Sequence, residues 1–316
     1  MTVPLLATAR PTARAHGGLA RVVPLVTVVF ILVLLAPGLL SGIGPIDTTD
    51  AFLSPPSAAH WFGTDQLGRD VFSRTVFGAR PVLAASLLGV VVAVVAGVAL
   101  GVAAGVAPRW LNAVLMRVVD VLLALPVLLI ALILIATAGS GIRSIVIALG
   151  VAFTPGFARV VESSVRKLRN AEYVQAAQVF GSTTLRTSVR HLLPNLMTEV
   201  VVLASSAVGW AVLTASTLSF LGLGVQLPQP DWGSDLAAGA TSLATSWWLA
   251  TFPGAAITVT ILLANFTGDQ LMTLLDPREG VRLRQNLPRF LGGRRARPAH
   301  AVVTEVRVPD AEREAA

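Results

Sequence analysis

The chain contains no cysteine in 316 residues, which excludes disulfides, cysteine nucleophiles and thiolate metal sites. Charged residues are scarce as well, at 13%, against about 25% in an average soluble domain. Histidine occurs only at positions 16, 60, 191 and 300, and none of these lies deep in an apolar run. We therefore expect no intramembrane serine–histidine catalysis, no paired haem ligands and no histidine proton relay.

A nucleotide-binding motif is also missing. The Walker A pattern does not occur, and the only lysine is Lys167 in the stretch VRKLR, so the chain does not bind ATP by that route. The middles of the apolar runs have almost no acidic residues, which ion-coupled transporters usually need. The net charge of +7 does not indicate nucleic-acid binding, because the basic residues lie mostly beside apolar runs, as the positive-inside rule expects.

Long apolar runs fill most of the chain. Hydrophobic residues make up 54% and the mean hydropathy is +0.74, and a helix needs roughly 20 apolar residues to cross a bilayer. The sequence predicts an all-α polytopic membrane protein with six transmembrane helices and both termini in the cytoplasm. The predicted spans lie near residues 22–42, 81–108, 111–138, 142–161, the first part of 200–230, and 247–275.

These spans divide the chain into an organisation that we state as a prediction. It consists of a cytoplasmic arm (1–21), a first transmembrane helix (22–42), an extracytoplasmic segment (43–80), a five-helix core (81–276) containing a cytoplasmic loop (162–199), and a cytoplasmic, disordered tail (277–316). Within residues 43–80, charges of alternating sign accompany an apolar stripe. The pattern favours a short amphipathic helix at the outer membrane surface and a loop with ion pairs equally.

Several positions inside the spans predict local structure. Gly97, Gly101 and Gly105 recur every fourth residue, which lets two helix backbones approach closely in lipid. Arg117 and Asp120 are three residues apart near the inner end of their span, and we interpret them as a structural ion pair rather than a functional one. Pro126 is expected to kink that span. Trp247 and Trp248 begin the last span, as in an interfacial aromatic belt.

The stretch from Arg159 to Pro194 is a polar island between two spans, with six basic and two acidic residues. Its spacing predicts a helix over Val165–Phe180, a turn at Gly181, and a second helix capped by Ser182 or Thr183 that ends at Pro194 and Asn195. Such a helical pair would suit docking into a groove of another protein. An ordinary solvated loop is the alternative interpretation.

Motifs in the chain resemble a known family. Gln175-Ala176-Ala177, Gly181 and Leu193-Pro194 resemble the EAA loop of permease subunits of bacterial ABC importers. Five further stretches are similar to the second, DppC/OppC-like permease of dipeptide, oligopeptide and nickel importers. They are FGTDQLGRDVFSR (62–74), RVVDVLLALP (117–126), FLGLGVQLPQPDWGSDL (220–236), WWLATFPG (247–254) and GDQLMTLLDPR (268–278).

The resemblance implies a type I importer permease with the MetI-like fold, in the bacterial cytoplasmic membrane. It implies a heterodimer with a related permease, two cytoplasmic ATPases and an extracytoplasmic binding protein. ATP and Mg²⁺ would bind to the ATPases, leaving this chain without catalytic residues, metal or cofactor. The residues that the family would use to couple to the ATPase are Tyr173, Gln175, Ala176, Ala177, Gly181, Ser182 and Pro194. Gln175 departs from the usual glutamate, so an ion pair cannot form there.

The resulting hypothesis is a permease that imports di- and oligopeptides, driven through the EAA loop. The same importer class carrying nickel chelates or glutathione is the alternative cargo. A stand-alone secondary transporter is the rival of another class, against which the sparse mid-membrane acids and the EAA loop argue. An intramembrane enzyme is a third, for which the sequence offers no nucleophile–base pair.

Overall fold

A computed structural model describes residues 36–179 and 182–275. In these residues the regular structure is helical, with two isolated bridges near the start. The helices are α1 (Val71–Phe77), α2 (Ala79–Val106), α3 (Arg109–Ala124), α4 (Val127–Ala138), α5 (Ile142–Arg169), α6 (Glu172–Val179), α7 (Thr184–Thr187), α8 (Leu193–Phe220), α9 (Trp232–Ala240) and α10 (Trp248–Leu275).

Four helical stretches are long and apolar enough to cross a membrane within the described part of the chain. They are α1 with α2, α5, α8 and α10, and a fifth is obtained if α3 and α4 together form one span. Of the predicted first span, residues 22–35 lie outside the described residues, as do the arm (1–21) and the tail (277–316). Residues 36–42 contain a single short 3-10 helix, Pro37–Leu39.

The predicted third span is broken rather than kinked. Helices α3 and α4 meet at an angle of 94°, so the bend predicted at Pro126 is confirmed in position but is sharp enough to divide the span into two helices. The cause is local, because Pro126 lacks an N–H and disfavours a helical conformation for the residue before it. Leu125 is accordingly extended, with φ −89° and ψ 139°.

The glycine spacing of α2 marks a close approach of two helices, which confirms that prediction and identifies α5 as the partner. A Cβ added to Gly101 would lie 2.7 Å from the Ala158 carbonyl oxygen, and one added to Gly105 would lie 2.5 Å from Val165. The fit is reciprocal, since Gly150 of α5 meets Val92 of α2 in the same way. Only residues without a Cβ permit this approach of two backbones.

The largest apolar core forms where α2, α4, α5 and α8 meet. Its fully buried members include Ala93, Ile135, Leu149 and Leu218. Many large apolar side chains remain on the outside of the same helices, as expected for surfaces that face lipid or other subunits. The two ends of this bundle carry most of its polar contacts.

Candidate functional site

The polar island begins with a helix that runs further than predicted. Helix α5 continues to Arg169, and the chain turns at Asn170 and Ala171 before α6 begins. A single helix over Val165–Phe180 is therefore wrong, because Val165 is buried within α5. The helix ends here because the asparagine side chain competes for helical hydrogen bonds. The spacing of apolar residues is helical on both sides of the turn, so the sequence pattern does not show where α5 ends.

Helix α6 carries most of the residues expected to couple the chain to an ATPase. Tyr173, Gln175, Ala176 and Ala177 lie on it, whereas Gly181 is outside the described residues. Val174 anchors the helix, being fully buried in a cluster that includes side chains of α5 and α8. The Gln175 side chain is exposed, and its amide donates a hydrogen bond to the Asn170 carbonyl oxygen at 3.3 Å.

The second half of the island also differs from the prediction. Of the two predicted capping residues, Thr183 is the one that caps α7, since its hydroxyl accepts a hydrogen bond from the Arg186 N–H at 3.3 Å. Ser182 instead accepts a hydrogen bond from the Thr187 hydroxyl at 3.0 Å. The helix does not end at Pro194, which lies in the first turn of α8.

A π-helical turn explains how the chain continues through this proline. The turn covers Ser188–Leu192, and the Leu193 N–H donates to the Ser188 carbonyl oxygen, five residues back. Proline cannot donate the next α-helical hydrogen bond. A widened turn is a usual way for a helix to absorb such a missing donor, so Pro194 shifts the register of the helix without terminating it.

Buried polar side chains tie α3, α5 and α8 together at this end. Glu162 is only 4% exposed, and its Oε1 accepts from the Asn112 amide at 2.8 Å and from Arg166 at 3.3 Å. Ser164 donates to the Glu199 carboxylate. This network could not be predicted from the sequence, because its members lie up to 50 positions apart.

The predicted ion pair within α3 is corrected by the structure. Asp120 pairs with Arg159 of α5 and not with Arg117. The spacing of three residues suggested a pair on one helix surface, but the sequence cannot show that α5 crosses α3 at this level. The pair therefore joins two helices instead of stabilising one.

The opposite end is covered by residues 43–80, the segment predicted to be extracytoplasmic and named the outer segment below, which folds onto α9 and α10. Two indoles hold it: Trp232 Nε1 donates to the Thr75 carbonyl oxygen at 2.6 Å, and Trp248 Nε1 to that of Thr64 at 3.1 Å. Trp248 is 6% exposed, so its assignment to an interfacial belt is wrong, whereas Trp247 remains 52% exposed. An indole that donates a hydrogen bond can be buried without loss.

An ion pair and a side-chain hydrogen bond organise this outer segment. Arg69 Nε lies 2.6 Å from Asp65 Oδ2, and His60 Nδ1 lies 2.9 Å from Asp70 Oδ1. Asp70 also caps α1, because its other oxygen accepts from the Ser73 N–H at 2.8 Å. Five of the seven residues of α1 are buried, so the helix is enclosed by protein and does not lie on a lipid surface.

Two carboxyl groups of the outer end have perturbed protonation. Burial is the largest cause in both cases, raising the pKa of Asp231 from 3.8 to about 6 and also raising that of Asp235. Backbone N–H groups of α9 oppose the shift at Asp231, and Arg74 opposes it at Asp235. Desolvation outweighs these favourable contacts, as is common for buried charges.

Comparison with solved structures defines the class. The fold is similar to a chain of the methionine ABC transporter MetNI in inward-facing conformations. In one crystal form the TM-score is 0.54 at 17% identity, covering 64% of this chain and 96% of that chain. In another the TM-score is 0.52 at 18% identity, covering 64% and 95%. The chain thus has the fold of an ABC-importer permease, which confirms the predicted MetI-like architecture.

Sequence comparison gives the family. The chain belongs to the family described as binding-protein-dependent transport system inner membrane component, whose model matches residues 97–281. It is 37% identical to the glutathione transport permease GsiD of Pectobacterium atrosepticum, covering 71% of this chain and 74% of that protein. It is also 37% identical to a putative peptide transport permease of Brucella abortus, covering 87% and 92%. A third relative, the probable D,D-dipeptide transport permease DdpC of Escherichia coli, is 37% identical, covering 74% of this chain and 78% of that protein.

These findings confirm the resemblance seen in the motifs. The chain is a membrane-embedded permease component of an ABC importer.

Proposed function

We propose that this chain is one of two permease subunits through which an ABC importer moves di- and oligopeptides across the bacterial cytoplasmic membrane. ATP hydrolysis takes place on two separate cytoplasmic ATPase chains, and an extracytoplasmic protein delivers the cargo. The support for peptides is the pair of relatives from Brucella and Escherichia, whose names specify peptides and a D,D-dipeptide. The glutathione relative favours glutathione, itself a short peptide derivative, as the second cargo.

The observation that carries the proposal is the position of α6. This helix joins the inner ends of α5 and α8 and is anchored by buried Val174, while Gln175 is exposed and the apolar Val179 is 86% exposed. An exposed apolar side chain on a short anchored helix suits insertion into a groove of an ATPase. Movement of the ATPases then shifts α5 and α8 together, because α6 packs against both.

The remaining parts follow from this orientation. The end that carries α6 faces the cytoplasm, so both termini are cytoplasmic and the segment over α9 faces the binding protein. The Arg74–Asp235 pair and the two indoles keep that segment rigid, which suits a docking surface for a delivered cargo.

Reconstitution tests the proposal. The chain is placed in vesicles with its sister permease, the ATPases and the binding protein, and uptake of labelled dipeptide, glutathione or nickel chelate is measured with and without ATP. We expect ATP-dependent peptide uptake. Ala177→Trp should abolish uptake and uncouple ATP hydrolysis, whereas Leu243→Trp, a similar change at an exposed outer position, should transport normally. Uptake by this chain alone under an ion gradient would contradict the proposal.

A further inference from the structure

A cavity of about 750 Å³ opens beside the coupling helix, between the α2–α3 turn and the end of α5. Its wall is strongly basic: among the described residues the charged lining residues are Arg109, Arg166 and Arg169, and none is a carboxylate. Asn112, Asn170 and Gln175 add amide side chains to the lining. Every charged or amide side chain of this wall can donate hydrogen bonds, so its chemistry suits an anion.

An acidic side chain that contacts the wall, Glu162, already has partners within the chain. Glu162 is buried and is bonded by Asn112 at 2.8 Å and by Arg166 at 3.3 Å. Arg169 uses one nitrogen to donate to the Gly105 carbonyl oxygen at 2.9 Å, which fixes its guanidinium at the wall, and no carboxylate in the described part of the chain pairs with it. Among the described residues Arg109 has neither a hydrogen bond nor an ion pair through its side chain. Two positive charges of the wall therefore lack an internal counterion.

The start of α3 adds to this positive potential. Pro108 and Arg109 begin the helix and line the cavity, and no side chain caps this end. The first N–H groups of a helix have no partner within it, and the dipole of a 16-residue helix favours an anion at this position. Trp110 follows on the same turn and is 69% exposed, as is typical of an indole at the depth of lipid headgroups.

We propose that this cavity binds a phosphate group, either of an anionic phospholipid headgroup or of a soluble phosphate. Planar guanidinium groups match the geometry of phosphate oxygens, and basic pockets between transmembrane helices bind anionic headgroups. The cavity has room for a glycerol phosphate headgroup. Because Gln175 of α6 lines it, a bound phosphate contacts the same helix that is proposed to meet the ATPase.

Thermal unfolding of the purified full-length chain in a neutral detergent tests this. The probes are dihexanoyl phosphatidylglycerol, inorganic phosphate, and dihexanoyl phosphatidylcholine as the zwitterionic control. A ligand that binds the native state stabilises it by RT ln(1 + [L]/Kd), so the dependence of Tm on ligand concentration gives the dissociation constant. We expect a concentration-dependent rise with phosphatidylglycerol that added salt weakens. A rise with inorganic phosphate as well identifies a soluble phosphate as a sufficient ligand, and no rise with it assigns the site to the lipid.

Two variants locate the effect. Arg109→Gln removes a charge that has no internal partner, and Gln175→Glu places a carboxylate in the cavity. Each should weaken binding about tenfold, the size of one lost charge-assisted hydrogen bond. Arg117→Gln, which removes an exposed arginine of the same helix outside the cavity, should bind as the unmodified chain does. Equal Tm shifts with phosphatidylcholine and phosphatidylglycerol, or an unchanged dissociation constant in either cavity variant, would overturn the proposal.

Discussion

Arg74 Nη2 lies 2.5 Å from Asp235 Oδ1, joining α1 to α9 across 161 positions of the sequence. Both side chains are nearly enclosed, with 4% and 12% exposed. Arg74 Nη1 also donates to the carbonyl oxygens of Pro45 at 3.1 Å and Pro228 at 3.2 Å. One guanidinium thus joins helix α9 to the two loops that contain Pro45 and Pro228.

Substitutions at Arg74 and Asp235 should change the free energy of unfolding in a strongly non-additive way. Asp235→Asn leaves a buried guanidinium without its counterion, and Arg74→Gln leaves a buried carboxylate, so each should lower the free energy of unfolding by about 3–5 kcal/mol. The double variant should lose much less than the sum, because neither charge remains. Thermal unfolding of the purified variants measures the cycle.

Arg143→Gln provides the control, since this arginine is exposed at the start of α5 and has no ion pair among the described residues. The free energy of unfolding of this variant should stay within about 0.5 kcal/mol of that of the unmodified chain. Additive losses in the double variant would show that Arg74 and Asp235 act independently.

Protonation of Asp231 should make the outer end sensitive to pH. Its Oδ1 caps α9 by accepting from the N–H groups of Gly233 at 3.0 Å and Ser234 at 3.1 Å, while burial raises its pKa from 3.8 to about 6. The folded chain therefore binds more protons than the unfolded chain between about pH 4 and 6. Protonated Asp231 therefore contributes to the free energy of unfolding below pH 4. This contribution, at most about 3 kcal/mol, is lost as the pH rises from 4 to 6.

Asp231→Asn should flatten this dependence, because asparagine keeps the capping oxygen but does not titrate. Tm of both proteins is measured from pH 4 to 7. Asp235, whose pKa burial also raises, contributes a change of the same sign, so the slope should decrease without vanishing. An unaltered slope in the variant would rule out Asp231 as a source.

The sequence was most informative where one physical effect dominates. Long apolar runs have few stable alternatives to membrane helices, so the spans predicted to begin at Pro81, Ile142 and Trp247 start within two residues of α2, α5 and α10, although α5 continues beyond its predicted end. The four-residue spacing of Gly97, Gly101 and Gly105 likewise predicted close packing, because residues without a Cβ let two helix backbones approach. The spacing does not identify α5 as the partner, because it describes only the helix in which the glycines lie.

Errors arose where contacts from distant parts of the chain compete with a local rule. Asp120 has Arg117 as its sequence neighbour but Arg159 as its partner. Pro194 is a helix breaker by propensity, yet the π-turn absorbs it. Helix α9 went unpredicted although Asp231 is a good N-cap, because Gly233 and Gly239 give the stretch the composition of a loop.

The corrected ion pair makes a direct comparison of two arginines possible. Arg159→Gln should destabilise the chain by up to about 1 kcal/mol, because it removes a partly exposed pair, with side chains 41% and 44% exposed, that joins two helices. Arg117→Gln should have little effect, since its side chain is exposed and does not pair with Asp120. Thermal unfolding of the two variants measures the difference. A larger loss of stability in Arg117→Gln than in Arg159→Gln would instead support the Arg117–Asp120 pair predicted from spacing.

The packing of α2 on α5 can be tested with two glycines that differ in their surroundings. A methyl group at Gly101 would lie 2.7 Å from the Ala158 carbonyl oxygen and equally close to Val161, so the helices would have to separate. Gly101→Ala should therefore cost about 1–3 kcal/mol, the usual range for overpacking. Gly156, within α5, has open space at its Cβ position, and its replacement by alanine should be neutral or stabilise the helix by up to about 1 kcal/mol. Because the two substitutions are chemically identical, a similar loss of Tm in both would mean that backbone proximity at Gly101 does not limit the packing of these helices.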